Sequence, residues 1–257
     1  MNDVLEPLAA RYLTWLALPA SSTVDTSDED AELVRAMPVV LRIERAEPPP
    51  RTALLEAAAT AAVAVCLDER AAPDGEWHDA VRAWIDGRIR KVARRARGAH
   101  WQAAQGFPGL TVQSGAAEAR ALVPGLVAET PREIARLQIS GSDLPHDEPG
   151  PPPGAVPVLW LNPHVEMTVG KAAAQVGHAT MLLAALLHGV DDTAALDAWA
   201  SVDYRCAVRV PTRPQWTDLH PADDPEAAWA DRRVVAVRDA GFTEVDPGTI
   251  TVLAQLP

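Results

Sequence analysis

Residues 141–157, GSDLPHDEPGPPPGAVP, hold six prolines and three glycines. Each proline ring fixes φ and removes a backbone donor, so this stretch forms neither helix nor central strand and is expected as an extended spacer. It limits the chain to two blocks, 31–148 and 155–257, each long enough to bury one core. A polar, acidic stretch at 21–30, SSTVDTSDED, sets residues 1–30 apart as a short N-terminal helix and a flexible acidic linker.

The second block reads as strand (VPVLWLN), helix over 169–188, strand over 204–210, strand over 232–241 and a final strand, GTITVLAQL. That order predicts an α/β fold, a four-stranded mixed sheet flanked by helices, with a first connection long enough for a crossover. The first block repeats it. MPVVLRIER is a strand, RTALLEAAATAAVAVCLDER a long Ala-rich helix, and 77–101 a second helix; GLTVQS, AEARALV and EIARLQIS follow as strands. VVLRIERAEPPPRTALLEAAATA overlays VLWLNPHVEMTVGKAAAQVGHAT strand on strand and helix on helix. Either the chain is an internal duplication whose first copy is degenerate, a pseudo-dimer, or the blocks are unrelated units of one common pattern.

Net charge is −12, so any nucleic-acid contact must come from a local basic patch. Only Lys91 and Lys171 among the 23 basic residues are lysines. Cys66 and Cys206 stand far apart in apolar surroundings and read as buried free thiols. Asp3 and Glu6 occupy the N-terminal stretch where a secretory signal carries positive charge, and the longest apolar runs carry polar residues, so a cytoplasmic protein without membrane contact is expected.

Chemistry concentrates in two stretches. In MTVGKAAAQVGHATM (167–181), Lys171, Gln175 and His178 fall on one helix face above an apolar underside. Gly170 opens the helix start, where free amides favour an anion. The stretch is no phosphate loop of the Walker type, because Val165 stands at the first glycine and Ala172 at the magnesium-binding hydroxyl. In VRDAGFTEVDPGTITVLAQLP (237–257), Asp239 ends a strand, and Thr243, Thr249 and Thr251 follow within twelve residues. Taken singly, each of these residues also suits a turn, a strand or a helix core.

Together the two stretches resemble the archaeal and eukaryotic, second class of peptidyl-tRNA hydrolase. Met167, Gly170, Lys171, Ala173, Ala174, Gln175, His178 and Ala179 match its first motif; Asp239, Ala240, Gly241, Thr243, Pro247, Gly248, Thr249, Thr251, Val252 and Leu253 match its second. The resemblance implies a metal-free, cofactor-free hydrolase acting on the ester of peptidyl-tRNA, homodimeric in the family. It implies catalytic roles for Lys171, Asp239, Thr243 and Thr251, and substrate contacts at Gly170, Gln175, His178 and Thr249. Val169 and Val176 replace a lysine and a cysteine usual in the motif, and the middle segment PTRPQWTDLHPADDPEAAWADR is proline-rich and acidic where the family has a regular helix. Residues 155–257 carry seven Lys/Arg against thirteen Asp/Glu. The basic segment of the first block, with Arg90, Arg94, Arg95 and Arg97, is therefore the expected contact for RNA phosphates, or else a solvated face. A non-catalytic RNA-binding or interaction module, and hydrolysis of an acyl ester not on tRNA, are the competing functional readings.

Overall fold

A computed structural model describes residues 4–139, 143–221 and 224–257; residues 1–3 of the N-terminal segment and 141–142 of the proline-rich spacer lie outside the described residues. The chain begins with α1 (Glu6–Ala17) and a single turn, α2 (Ala20–Thr23). The first α/β unit runs β1 (Arg35–Arg42), α3 (Arg51–Leu67), α4 (His78–Asp86), β2 (Arg90–Ala96), α5 (Gly98–Ala104), β3 (Gly109–Ser114), β4 (Ala117–Leu122), β5 (Gly125–Leu126) and α6 (Arg132–Ala135). The second runs β6 (Val158–Leu161), α7 (Val169–Gly189), α8 (Thr193–Ala200), β7 (Ala207–Arg209), α9 (Arg213–Leu219), α10 (Pro225–Arg232), β8 (Val234–Arg238) and β9 (Ile250–Gln255).

The two sheets share one design. The first has the order β2-β1-β4-β3, with the two-residue β5 added to one end of β1; the second has the order β7-β6-β9-β8. In each, the opening strand pairs in parallel with the strand after the long helix and antiparallel with the third strand of the order, β4 or β9. The long helices α3 and α7 pack on each other, and each also reaches an edge strand of the opposite sheet, α7 at β2 and α3 at β7. Alanine and glycine allow this closeness: a Cβ on Gly177 would stand 3.1 Å from that of Ala62, and Thr180 Oγ1 donates to Ala59 O at 2.9 Å. Both helices are buried along most of their length, as apolar composition around the whole circumference demands. One hydrophobic cluster therefore runs through both units, from Met37, Leu41 and Leu54 to Leu159, Met181, Val235 and Val252.

Three expectations are corrected. The Arg-rich stretch within 77–101 is not one helix: α4 ends at Asp86, and 90–96 pair residue for residue with β1 as a parallel edge strand. Consecutive arginines offer no apolar period of 3.6 residues, and pairing along β1 satisfies the backbone instead. Of EIARLQIS, the described residues 133–139 form the end of α6 and a single bridge, Gln138 to Arg95, and no strand, while residue 140 lies outside the described residues. The acidic stretch 21–30 is not a loose linker. Thr23 is fully buried, and Asp28 and Glu29 pair with Arg88, Glu29 also with Arg90.

The N-terminal helix closes the outer edge of the second sheet. Ala236, on the edge strand β8, donates its N–H to Tyr12 Oη at 2.8 Å in a buried position. Tyr12→Phe strands that N–H and is expected to lower unfolding free energy by about 1–3 kcal/mol, read by denaturant titration.

Candidate active site

The site forms where the start of α7 meets the ends of β8 and β9. Thr168 caps α7 with its side chain, accepting the Lys171 N–H at 3.2 Å. The same threonine gives its N–H and hydroxyl to the two oxygens of Glu244, at 2.9 and 2.7 Å, which ties the 239–249 loop onto the helix start. Within the loop, Asp239 N–H donates to Thr249 O and Gly248 N–H to Asp239 O, both at 2.9 Å. Gly241 turns the chain at φ +85°, and a Cβ there would lie 2.5 Å from Pro247 Cα. Glycine is the residue that satisfies both demands.

Below this turn, five side chains form one hydrogen-bonded group. Asp239 Oδ2 accepts from Lys171 Nζ and from Gln175 Nε2, each at 2.7 Å, while Oδ1 accepts from Gly241 N–H at 2.8 Å. Thr251, fully buried on β9, donates its hydroxyl to Gln175 Oε1 at 2.5 Å. Lys171 Nζ also donates to Thr243 Oγ1 at 3.0 Å, and Thr243 stands exposed at the rim. The Lys171 and Asp239 side chains are only 9% and 8% exposed, so water screens their attraction little.

The other expected site residues are placed differently. Thr249 spends its hydroxyl on Asp246 O at 2.7 Å, within its own turn. Over Gly170 stands Ala93 of β2, 3.6 Å from where a Cβ would be, an ordinary packing contact. His178 turns away from Asp239 towards the first unit, its Nδ1 3.0 Å from Lys91 Nζ. Burial, reinforced by the positive charges of Lys91 and Lys171, holds the His178 imidazole well below its ordinary pKa.

The arginines are largely engaged. Arg90 forms a two-pronged pair with Glu29, at 2.7 and 2.5 Å, and its guanidinium lies 5.4 Å from the Phe242 ring. Arg94 donates to Ala135 O and Leu137 O, and Arg95 to Gln138 Oε1. Arg97 is half-buried.

Several contributors to the site escape sequence reasoning: Lys91, Glu244, Glu29, and the clamp on Arg238. That arginine donates to the carbonyls of Trp15, Leu16 and Leu18 at the end of α1, while Trp15 Nε1 donates back to Arg238 O at 3.1 Å. Thr23 Oγ1 reaches Ala240 O at 3.0 Å, so the N-terminal segment brackets Asp239 on both sides. The one available signal was Lys91 itself, since a chain that otherwise uses arginine keeps just two lysines. Among the described residues no three His, Cys, Asp or Glu side chains group to hold a metal ion, and no helix is long and apolar enough to cross a membrane.

An α/β unit that gathers an ammonium, a carboxylate, an amide and two hydroxyls at strand ends has the constituents of an acid–base site for acyl hydrolysis. Residues 156–257, which hold all of those groups, match the family model described as peptidyl-tRNA hydrolase PTH2, the family that the two motifs resemble. No curated protein and no solved structure matches the chain.

Proposed function

We propose that the protein hydrolyses the ester joining a peptide, or an N-blocked amino acid, to the terminal ribose of tRNA, releasing free tRNA. The observation that carries this reading is the single hydrogen-bonded group of Lys171, Asp239, Gln175, Thr243 and Thr251 inside the matched segment. An ammonium has three N–H donors and a carboxylate about four acceptor positions. Lys171 uses two donors and Asp239 three positions, which leaves one N–H and one Oδ1 lone pair for reactants. In this reading the spare lone pair of Asp239 orients the attacking water and takes its proton. The spare N–H of Lys171 meets the ester carbonyl oxygen as negative charge develops on it. Gln175, held by Thr251, fixes the carboxylate, and the proton taken by Asp239 passes to the departing ribose oxygen, which the exposed Thr243 hydroxyl holds by a hydrogen bond. No cofactor takes part.

The same reading treats residues 31–148 as a degenerate copy that stands in for a second subunit. The shared sheet order and the packing of α3 on α7 support it. Incubation with N-blocked aminoacyl-tRNA carrying a labelled acyl group is expected to yield free tRNA and the labelled acid. An intact ester would mark a non-catalytic RNA-binding or interaction module instead, and the acidic net charge, with Glu29 already occupying Arg90, favours interaction over RNA binding within that alternative.

Binding of tRNA should fall steeply with salt. Replacing Arg94, Arg95 and Arg97 together with alanine is expected to weaken it and to flatten the dependence of log Kd on log salt by about 0.7–0.9 for each phosphate that is no longer neutralised. An unchanged slope would move the substrate to an acyl ester that is not on tRNA.

A further inference from the structure

Lys91 is the other lysine of the chain, and it sits where the two units meet. It projects from β2, an edge strand of the first sheet, onto α7: its Cδ and Cε lie 3.1 Å from where a Cβ on Gly177 would stand. Its Nζ is 3.0 Å from His178 Nδ1 and 5.1 Å from the centre of the Trp84 ring. The titratable groups facing it are His178 from α7 and Cys66 from α3, and the charge of Lys171 acts on the same imidazole. Among the described residues no carboxylate pairs with it. An unpaired ammonium in such a place is a burden on the fold, since burial disfavours the charged form. Packing alone would be better served by methionine or leucine.

We infer that Lys91 is a positioning residue of the site: it donates to His178 Nδ1, which forces the ring proton onto Nε2, so that His178 serves as a hydrogen-bond donor and not as the general base. A neutral imidazole has one donor and one acceptor nitrogen, and an N–H aimed at one nitrogen decides which is which. The residue that sets this tautomer comes from the first unit, outside the segment that matches the hydrolase family. The kinetic consequence rests on the hydrolase reading; the tautomer does not. The general base is then left to Asp239, whose Oδ1 keeps the spare lone pair.

The experiment compares wild type, Lys91→Met and Lys91→Arg in three measurements. Nitrogen-15 spectra of the histidine rings are expected to show His178 as the Nε2–H tautomer in wild type and in Lys91→Arg, and as a tautomer mixture with a raised pKa in Lys91→Met. Peptidyl-tRNA turnover is expected to fall on the order of a hundredfold in Lys91→Met, in kcat with KM little changed, and to recover in Lys91→Arg. Thermal melting separates positioning from packing. Burial pushes the Lys91 ammonium from 10.5 down to about 7, so between those values the unfolded chain binds the extra proton and stability rises with pH. From pH 9 upwards Cys66 and Cys206, both pushed up to about 12, act in the opposite direction. Wild-type Tm should therefore climb between pH 7 and 9, and Lys91→Met should lack that climb and melt no lower than wild type at pH 7. An unchanged His178 tautomer in Lys91→Met overturns the inference, as does a kcat loss accompanied by a lowered Tm and no rescue by arginine. If wild type leaves peptidyl-tRNA intact, the hydrolase reading fails while the tautomer spectra still decide the role of Lys91.

Discussion

Lys171→Met and Asp239→Asn are each expected to lower kcat for peptidyl-tRNA by roughly a thousandfold, the scale of losing an oxyanion donor or a catalytic base. The two substitutions fail differently. Lys171→Met leaves Asp239 bonded to Gln175 and Gly241 but removes the one ammonium that reaches both the carboxylate and Thr243. Asp239→Asn keeps an oxygen for the Gly241 N–H and so keeps the turn, yet sets an amide donor against the ammonium of Lys171 and the amide of Gln175. Both partners are about nine-tenths buried, so stranding either one is expected to cost about 3 kcal/mol of stability as well. Because the two act as one unit, the double variant should be little worse than either single one. Single-turnover kinetics with labelled N-blocked aminoacyl-tRNA reads the effect. Near-wild-type turnover by both variants would remove the site from this part of the molecule.

Gly241→Ala should damage site and fold together. A side chain at φ +85° carries about 1–3 kcal/mol of backbone strain, and its Cβ would enter the backbone of Pro247 at 2.5 Å, which cannot yield as a flexible side chain can. The turn must open, and with it go the Gly241 N–H that holds Asp239 Oδ1 and the placement of Thr243. A fall in kcat on the order of a hundredfold is expected, with a lower Tm. Gly170→Ala is the contrast. Its Cβ would meet Ala93 at an ordinary 3.6 Å within the first turn of a helix, so activity should stay near wild type. A large rise in KM for that variant would return Gly170 to the substrate-binding role that the motif implies.

The stripe of Lys171, Gln175 and His178 shows how far local pattern reaches. Helical spacing put the three on one face, and they lie there; two of them converge on Asp239 and the third leaves for the other unit. Gly170 and Thr249, equally marked by the motifs, pack against Ala93 and tie a turn. The arginine run was legible as a basic segment but not as an edge strand. Its conformation is set by hydrogen bonds to β1 and its charge is partly taken up by Glu29, sixty-one residues from Arg90 in sequence.

By itself the sequence determined the opening strand and long helix of each unit, the proline-rich break, the two motifs and their order, and hence the residues that could do acid–base chemistry. These follow from short-range causes: side-chain period, proline's missing donor and glycine's access to positive φ. Only the tertiary structure decided that the two units share one core across α3 and α7, that the N-terminal segment clamps Arg238 and grips the arginines, and that Lys91 reaches His178 across 87 residues. Those contacts depend on how close two Ala-rich helices can approach, which sums small packing energies over the whole chain and leaves no local mark on the sequence.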